Sequence, residues 1–133
     1  TDPLALDRWR LADIEAGLPL LAASLAGEFV AQALDLERLD AIRFDKGCYP
    51  GQEIAARLHF RGGNKRRLCR LVVAGEMPAP GAAILAADGA SIGRVLYSAA
   101  RDPHHAGMLA VLGLPESHRP ALATASGAHV DMN

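Results

Sequence analysis

From residue 65 to its end the chain is cut into short apolar runs by turn-forming residues. That rhythm limits the fold more than any other feature of the sequence. The runs read "RLCRLVVAG", "GAAILAADG", "SIGRVLYSA", "HAGMLAVLGL" and "PALATA". Asp88-Gly89 is a hairpin-type dipeptide between two of them. Five candidate strands at this spacing predict a small antiparallel barrel or sandwich.

Before residue 61 the pattern is different. Asp2-Pro3 reads as an N-cap followed by proline at the first helical position. Leu4, Leu11 and Ile14 fall near one helical face, and Gly17 sits where a C-terminal stop belongs, so a helix is expected from about 3 to 16. Leu18 precedes Pro19 and is biased towards extended backbone. Residues 28–32 are ambiguous, residues 34–39 suggest a turn or short helix, and "AIRF" at 41–44 suggests a brief extended piece. Gln52 to Phe60 reads as a second helix, with Glu53 and Arg57 in the order that suits an ion pair. "RGGN" at 61–64 ends it. The expected class is α+β, with one segment over residues 1–62 and a C-terminal antiparallel β-barrel domain over residues 63–133.

With 133 residues the chain can bury roughly two thirds of its unfolded surface, enough for a real core. Aromatic residues number only six, so packing falls to Leu, Val, Ile and Ala. No apolar run reaches the roughly 18 residues of a membrane span. Residues 1–10 lack the basic start and apolar run of a secretory leader, no membrane partner is expected, and two cysteines without a disulfide framework make a reduced, cytoplasmic location the default expectation. Net charge is −1, yet no acidic residue lies between Glu53 and Glu76. Arg57, Arg61, Lys65, Arg66, Arg67 and Arg70 all fall in that gap. They read either as a solvated strand and loop or as a patch facing phosphate, a carboxylate-rich ligand or RNA.

The two cysteines match no disulfide framework and no metal-ligand spacing. Cys69 lies in a strand-like run and reads as a small buried hydrophobe. Cys48 differs. Gly47 and Gly51 flank it, Pro50-Gly51 suits the centre of a type II turn, and Tyr49 is held extended by the proline after it. The thiol is therefore carried on a shaped loop just before a helix start, with Lys46 beside it and Arg57 within possible reach. Cations and a helix N-terminus favour thiolate, while Glu53 opposes it. A structural cysteine in a tight turn is the plain reading of such a loop.

"KGCYPGQEIAAR", residues 46–57, closely resembles the K-G-C-Y-x-G-Q-E-x-x-x-R motif of the YgfZ-type folate-binding proteins. These are relatives of the T-protein, the aminomethyltransferase of the glycine cleavage system. "IEAGLPLL" resembles the family's I-E-A-G-[IL]-P segment, "EFVAQALDLERLDAIRF" its F-[IL]-P-Q-x-x-N-L stretch, and "FRGGNKRRL" its F-R-G-x-x-K-R segment. The resemblance is strong over residues 8–70 and one of pattern after that. Ala31 stands where the family has proline, Asp35 where it has asparagine, and His59 where a lysine often stands.

The resemblance implies roles. Cys48 would be the functional thiol, redox-active or in transient contact with a cluster. Lys46, Gly47, Tyr49, Gly51, Gln52, Glu53 and Arg57 would form the motif around it. Trp9 falls where the family places a tryptophan at its folate site, and its indole could stack on a pterin or aminobenzoyl ring. The implied fold is the C-terminal part of a T-protein-like folate-binding domain followed by the β-barrel. The implied cofactor is tetrahydrofolate or a derivative, held with an N-terminal half that these 133 residues do not include. The implied function is a folate-binding accessory factor for iron–sulfur cluster assembly or repair and for tRNA modification. Its partners would be folate, iron–sulfur enzymes or their assembly machinery, and RNA through Arg57 to Arg70. Two other readings stand beside it. One is a folate-dependent aminomethyltransferase of T-protein type, and the other is an RNA- or partner-binding module.

Overall fold

The computed structural model describes residues 2–61, 65–113, 122–124 and 129–132. The first helix, α1, spans Pro3–Ala16. The Asp2 carboxylate accepts from the Leu4 amide at 3.0 Å, and Pro3 occupies the first turn, where no intrahelical donor is needed. Gly17 closes the helix in the left-handed conformation, with its amide on the Ile14 carbonyl and that of Leu18 on Asp13. Two arginines from distant segments also satisfy this end. Arg38 donates to the Gly17 carbonyl at 3.1 Å and Arg70 to the Glu15 carbonyl at 2.8 Å. Cations at a helix C-terminus oppose the negative end of its dipole.

Two short 3-10 turns follow, at Ala23–Leu25 and Ala31–Leu34. Residues 41–44, expected to be briefly extended, form no strand: 42 and 44 are bends, and 41 and 43 have no regular structure. The second helix, α2, spans Gln52–Arg61. Among the described residues Glu53 and Arg57 form no ion pair, although their spacing allows one. Residues 62–64, where the change of character was placed, lie outside the described residues.

The remainder is antiparallel sheet. Strands β1 (Arg67–Ala74), β2 (Ala83–Leu85), β3 (Ser91–Asp102) and β4 (His105–Leu112) carry most of it. They lie in the order β1-β4-β3-β2. Two short strands, β5 (Leu122–Thr124) and β6 (His129–Met132), continue from β2, and β6 returns to pair with β1, so the ring closes. Asp88-Gly89 forms the expected turn between β2 and β3, the Gly89 amide donating to the Ala86 carbonyl at 2.9 Å. The β3–β4 hairpin turns at Pro103-His104. There the His104 amide, and then the His105 ring, hold the exposed Asp102 carboxyl below the usual carboxylate range.

Strand alternation builds two cores. Leu71, Val73, Ile84, Val95, Met108 and Leu112 fill one side of the sheet, with Cys69 packed against them. The opposite face of β3 and β4 presents Leu96, Tyr97, Ala99, Leu109 and Val111. A register shift between Val95 and Tyr97 brings both Leu96 and Tyr97 into this second cluster. Ile14, Leu25, Ala33 and Leu34 cover it, so the N-terminal segment lies against the outside of the barrel. Gly107 lets α1 come close, since a Cβ there would stand 2.7 Å from Leu11 Cδ1. Leu4 does not join this contact. It is 64% exposed, because only the C-terminal half of α1 lies over the sheet.

The Tyr97 hydroxyl ties the two layers, donating to the Leu18 carbonyl at 2.8 Å. Burial, with the Asp13 carboxylate adding to it, pushes this phenol up to about 12. A folded-state value above the ordinary one of 10.0 means that the stabilisation is complete below that pH and is lost as pH rises through about 12. Replacing Tyr97 by phenylalanine should therefore cost about 1 kcal/mol near neutrality and flatten the alkaline limb of the stability curve. Urea midpoints measured against pH will check this, and an unchanged alkaline slope would disconnect Tyr97 from it.

Candidate functional site

The loop that carries Cys48 is shaped by its neighbours. Gly51 has φ +81°, the left-handed value that the second central residue of a type II turn requires. The Gln52 amide donates to the Tyr49 carbonyl at 3.1 Å, and the Gln52 side chain accepts from the Tyr49 amide at 3.3 Å. This reciprocal pair joins the loop to the first residue of α2. The Tyr49 hydroxyl donates to the Arg43 carbonyl at 2.9 Å, and Lys46 Nζ stands 5.2 Å from the centre of the Tyr49 ring. Tyr49 is thus the fixed point of the loop, while Gly47 meets no atom where a Cβ would be. Cys48 is exposed, with a free thiol. Glu53 is also exposed, in the first turn of α2.

The loop is anchored to the rest of the fold through α2. Gln32, about nine-tenths buried, donates to the Ala55 carbonyl at 2.7 Å and joins the 3-10 turn at 31–34 to the helix. Its Oε1 is buried with no hydrogen-bond partner among the described residues. Further along α2, His59 Nδ1 lies 2.8 Å from Glu37 Oε1, and the His59 ring stacks on Phe44 with centroids 4.3 Å apart. Gln32 and Glu37 were not singled out from the sequence, because the contacts that tie them to α2, at Ala55 and His59, cross more than 20 residues. Only the glutamine of the family's F-[IL]-P-Q pattern hints at Gln32.

The other sequence candidates lie elsewhere. Arg57 does not join Cys48. It lines a cleft of about 430 Å³ with Phe29, Val30, Ile54, Leu58 and Lys65. Trp9 projects from α1 and is 73% exposed, with Leu4 and Leu6 exposed on the same helix. Trp9 and Cys48 line neither this cleft nor the hollows beside Gly17, Gly93 and Tyr97. Asp35, which stands where the resembled pattern has asparagine, borders the Gly17 hollow with Arg38. Burial pushes its carboxyl up, against the pull of Arg38 and Arg67. Cys69 is half-buried in β1, its thiol 3.7 Å from the Arg67 carbonyl.

Among the described residues no cluster of three or more His, Cys, Asp or Glu side chains could hold a metal ion. No helix among them is long and apolar enough to cross a membrane. Chemically, the site offers one accessible thiol on a loop locked by hydrogen bonds at Tyr49 and Gln52. No family model matches the chain. A curated relative does: the tRNA-modifying protein YgfZ of Serratia proteamaculans (strain 568) is 54% identical over 61 residues. The match covers 46% of this chain and 18% of the relative's length. Over that matched stretch the chain is similar to YgfZ.

Proposed function

We propose that this chain is the C-terminal part of a YgfZ-type accessory factor for tRNA modification, and that Cys48 is its working thiol. The 54% identity to a tRNA-modifying protein is the observation that carries this reading. The geometry supports it, because Cys48 is exposed while its neighbours Tyr49 and Gln52 hold the loop in shape. A locked backbone beneath an open sulfur suits repeated contact with a partner. A single thiol cannot satisfy an iron–sulfur cluster that takes four cysteine ligands, so any cluster contact would be shared with the client enzyme. In this reading residues 1–62 end a T-protein-like folate-binding domain, residues 63–133 form its barrel domain, and the protein is cytoplasmic.

Tetrahydrofolate, or a derivative, is the cofactor this reading implies. Trp9 fits one face of a flat heteroaromatic ring, because its indole is open to solvent. The other face would be closed by chain beyond these residues. The folate would supply one-carbon or redox chemistry when bound. The residues here would hold its ring and present the Cys48 sulfur.

Complementation tests the proposal. Cells lacking the intact protein should recover their modified nucleosides, measured by mass spectrometry of total tRNA, when the unsubstituted protein is supplied. Cys48→Ser should restore little, and Trp9→Ala should restore less than the unsubstituted protein. Full recovery with Cys48→Ser would remove the thiol from the reading. No recovery with the unsubstituted protein would remove tRNA modification itself.

A further inference from the structure

The cleft beside α2 has no part in the reading above. Three stretches distant in sequence form it: residues 28–33, the exposed edge of α2, and residues 65–66 at the entry to the barrel. Ile54, Arg57 and Leu58 are three and four apart, so one helical edge brings two apolar side chains and a cation into it together. Phe29, Val30 and Ala33 complete an apolar floor. Val30 and Ile54 remain 39% and 58% exposed, although both are large apolar side chains.

The charges point the same way. Arg57 and Lys65 are exposed, and among the described residues neither forms an ion pair. Glu28 also reaches the cleft, but its carboxylate lies 2.8 Å from Arg94, so its charge is already answered. The rim is therefore net cationic above an apolar floor. A hollow of about 430 Å³, mostly apolar with a few converging charges, has the form that small-molecule sites take.

We propose that this cleft binds a small amphipathic anion. Its apolar body would rest on Phe29, Val30, Ile54 and Leu58, and its carboxylate, sulfonate or phosphate would meet Arg57 and Lys65. A nucleic-acid strand suits the cleft less well. Sequence-tolerant strand binding relies on aromatic platforms for successive bases, and this floor has one aromatic residue among aliphatic ones. The site is separate from the Trp9 surface and does not depend on any role of Cys48.

The test uses the intact protein and two probes of similar shape, naphthalene-1-sulfonate and the neutral 1-naphthalenemethanol. Amide shifts in nuclear magnetic resonance should move at residues 28–33, 54–58 and 65–66, more tightly with the sulfonate. The double variant Arg57→Gln, Lys65→Gln should weaken the sulfonate by about tenfold and leave the alcohol unchanged, the loss expected for two charge-assisted contacts partly exposed to water. Added salt should separate the probes in the same way, without any substitution. Shifts confined to the Leu4–Trp9 face, or equal loss of both probes in the variant, would overturn the proposal. Displacement of the sulfonate by a short single-stranded oligouridylate at lower concentration than inorganic phosphate would overturn it in favour of nucleic acid.

Discussion

Gly93→Ala should lower the melting temperature by roughly 10 °C, because an added methyl group there meets backbone on the neighbouring strand. Gly93 sits in β3 opposite Leu112 of β4. A Cβ there would run into the Val111 carbonyl oxygen and Leu112 Cδ2, with Leu112 Cα only 3.1 Å away. Two of these atoms are backbone, so relief requires β3 and β4 to separate. Overpacking of this kind costs about 1–3 kcal/mol, and a backbone obstacle belongs at the upper end. Gly107 provides the control. A Cβ there meets the end of the Leu11 side chain, which can rotate away, so Gly107→Ala should cost less than about 1 kcal/mol. Thermal melts of both variants decide the matter. A Gly93→Ala melt that matches the parent's would mean that the β3–β4 pairing is looser than its register indicates.

Local signals and tertiary ones were unequally legible in the sequence. The ends of α1 could be read because Asp2, Pro3 and Gly17 act on the backbone next to them. The start of α2 was legible from Pro50-Gly51 for the same reason. Five strands were visible as apolar runs between turns. The last strand, His129–Met132, was not, because four residues with an aspartate among them carry too little alternation. Helical periodicity groups Leu4 with Leu11 and Ile14 near one face. Periodicity does not say where along a helix the sheet stops, and here it stops short of Leu4.

The same division runs through the site. The turn at residues 49–52 follows from its own residues, and the structure adds only the hydrogen bonds that lock it. Arg57 was legible as part of a cationic gap, but its neighbours were not. Phe29 and Val30 lie more than 25 positions earlier and reach it only because Gln32 fastens that turn to α2 at Ala55. The acidic-free stretch also proved to be more than one thing. Arg70 caps α1, whereas Arg57 and Lys65 face the cleft. A run of like charge in a sequence fixes no common surface until the fold has assigned each side chain its partner.

Cys48 should react with iodoacetamide at least about tenfold faster than Cys69 in the native protein, because thiol reactivity follows access and local positive charge. Cys48 is exposed, on a loop that also carries Lys46. Cys69 is half-buried in β1, packed against the Leu71–Met108 core with its thiol directed to the Arg67 carbonyl. The serine variants should divide in the opposite sense. Cys48→Ser leaves the fold untouched, since the loop is held by Tyr49 and Gln52 rather than by the sulfur. Cys69→Ser places a hydroxyl beside an apolar core and should cost on the order of 1 kcal/mol, moderated by the partial exposure of the site. Labelling followed over time by mass spectrometry, with melts of both variants, measures the two effects independently. Equal labelling rates would show that the Cys48 loop shields its sulfur in solution. A melting temperature lowered more by Cys48→Ser than by Cys69→Ser would make Cys48 a packing residue, and the motif around it a turn and nothing more.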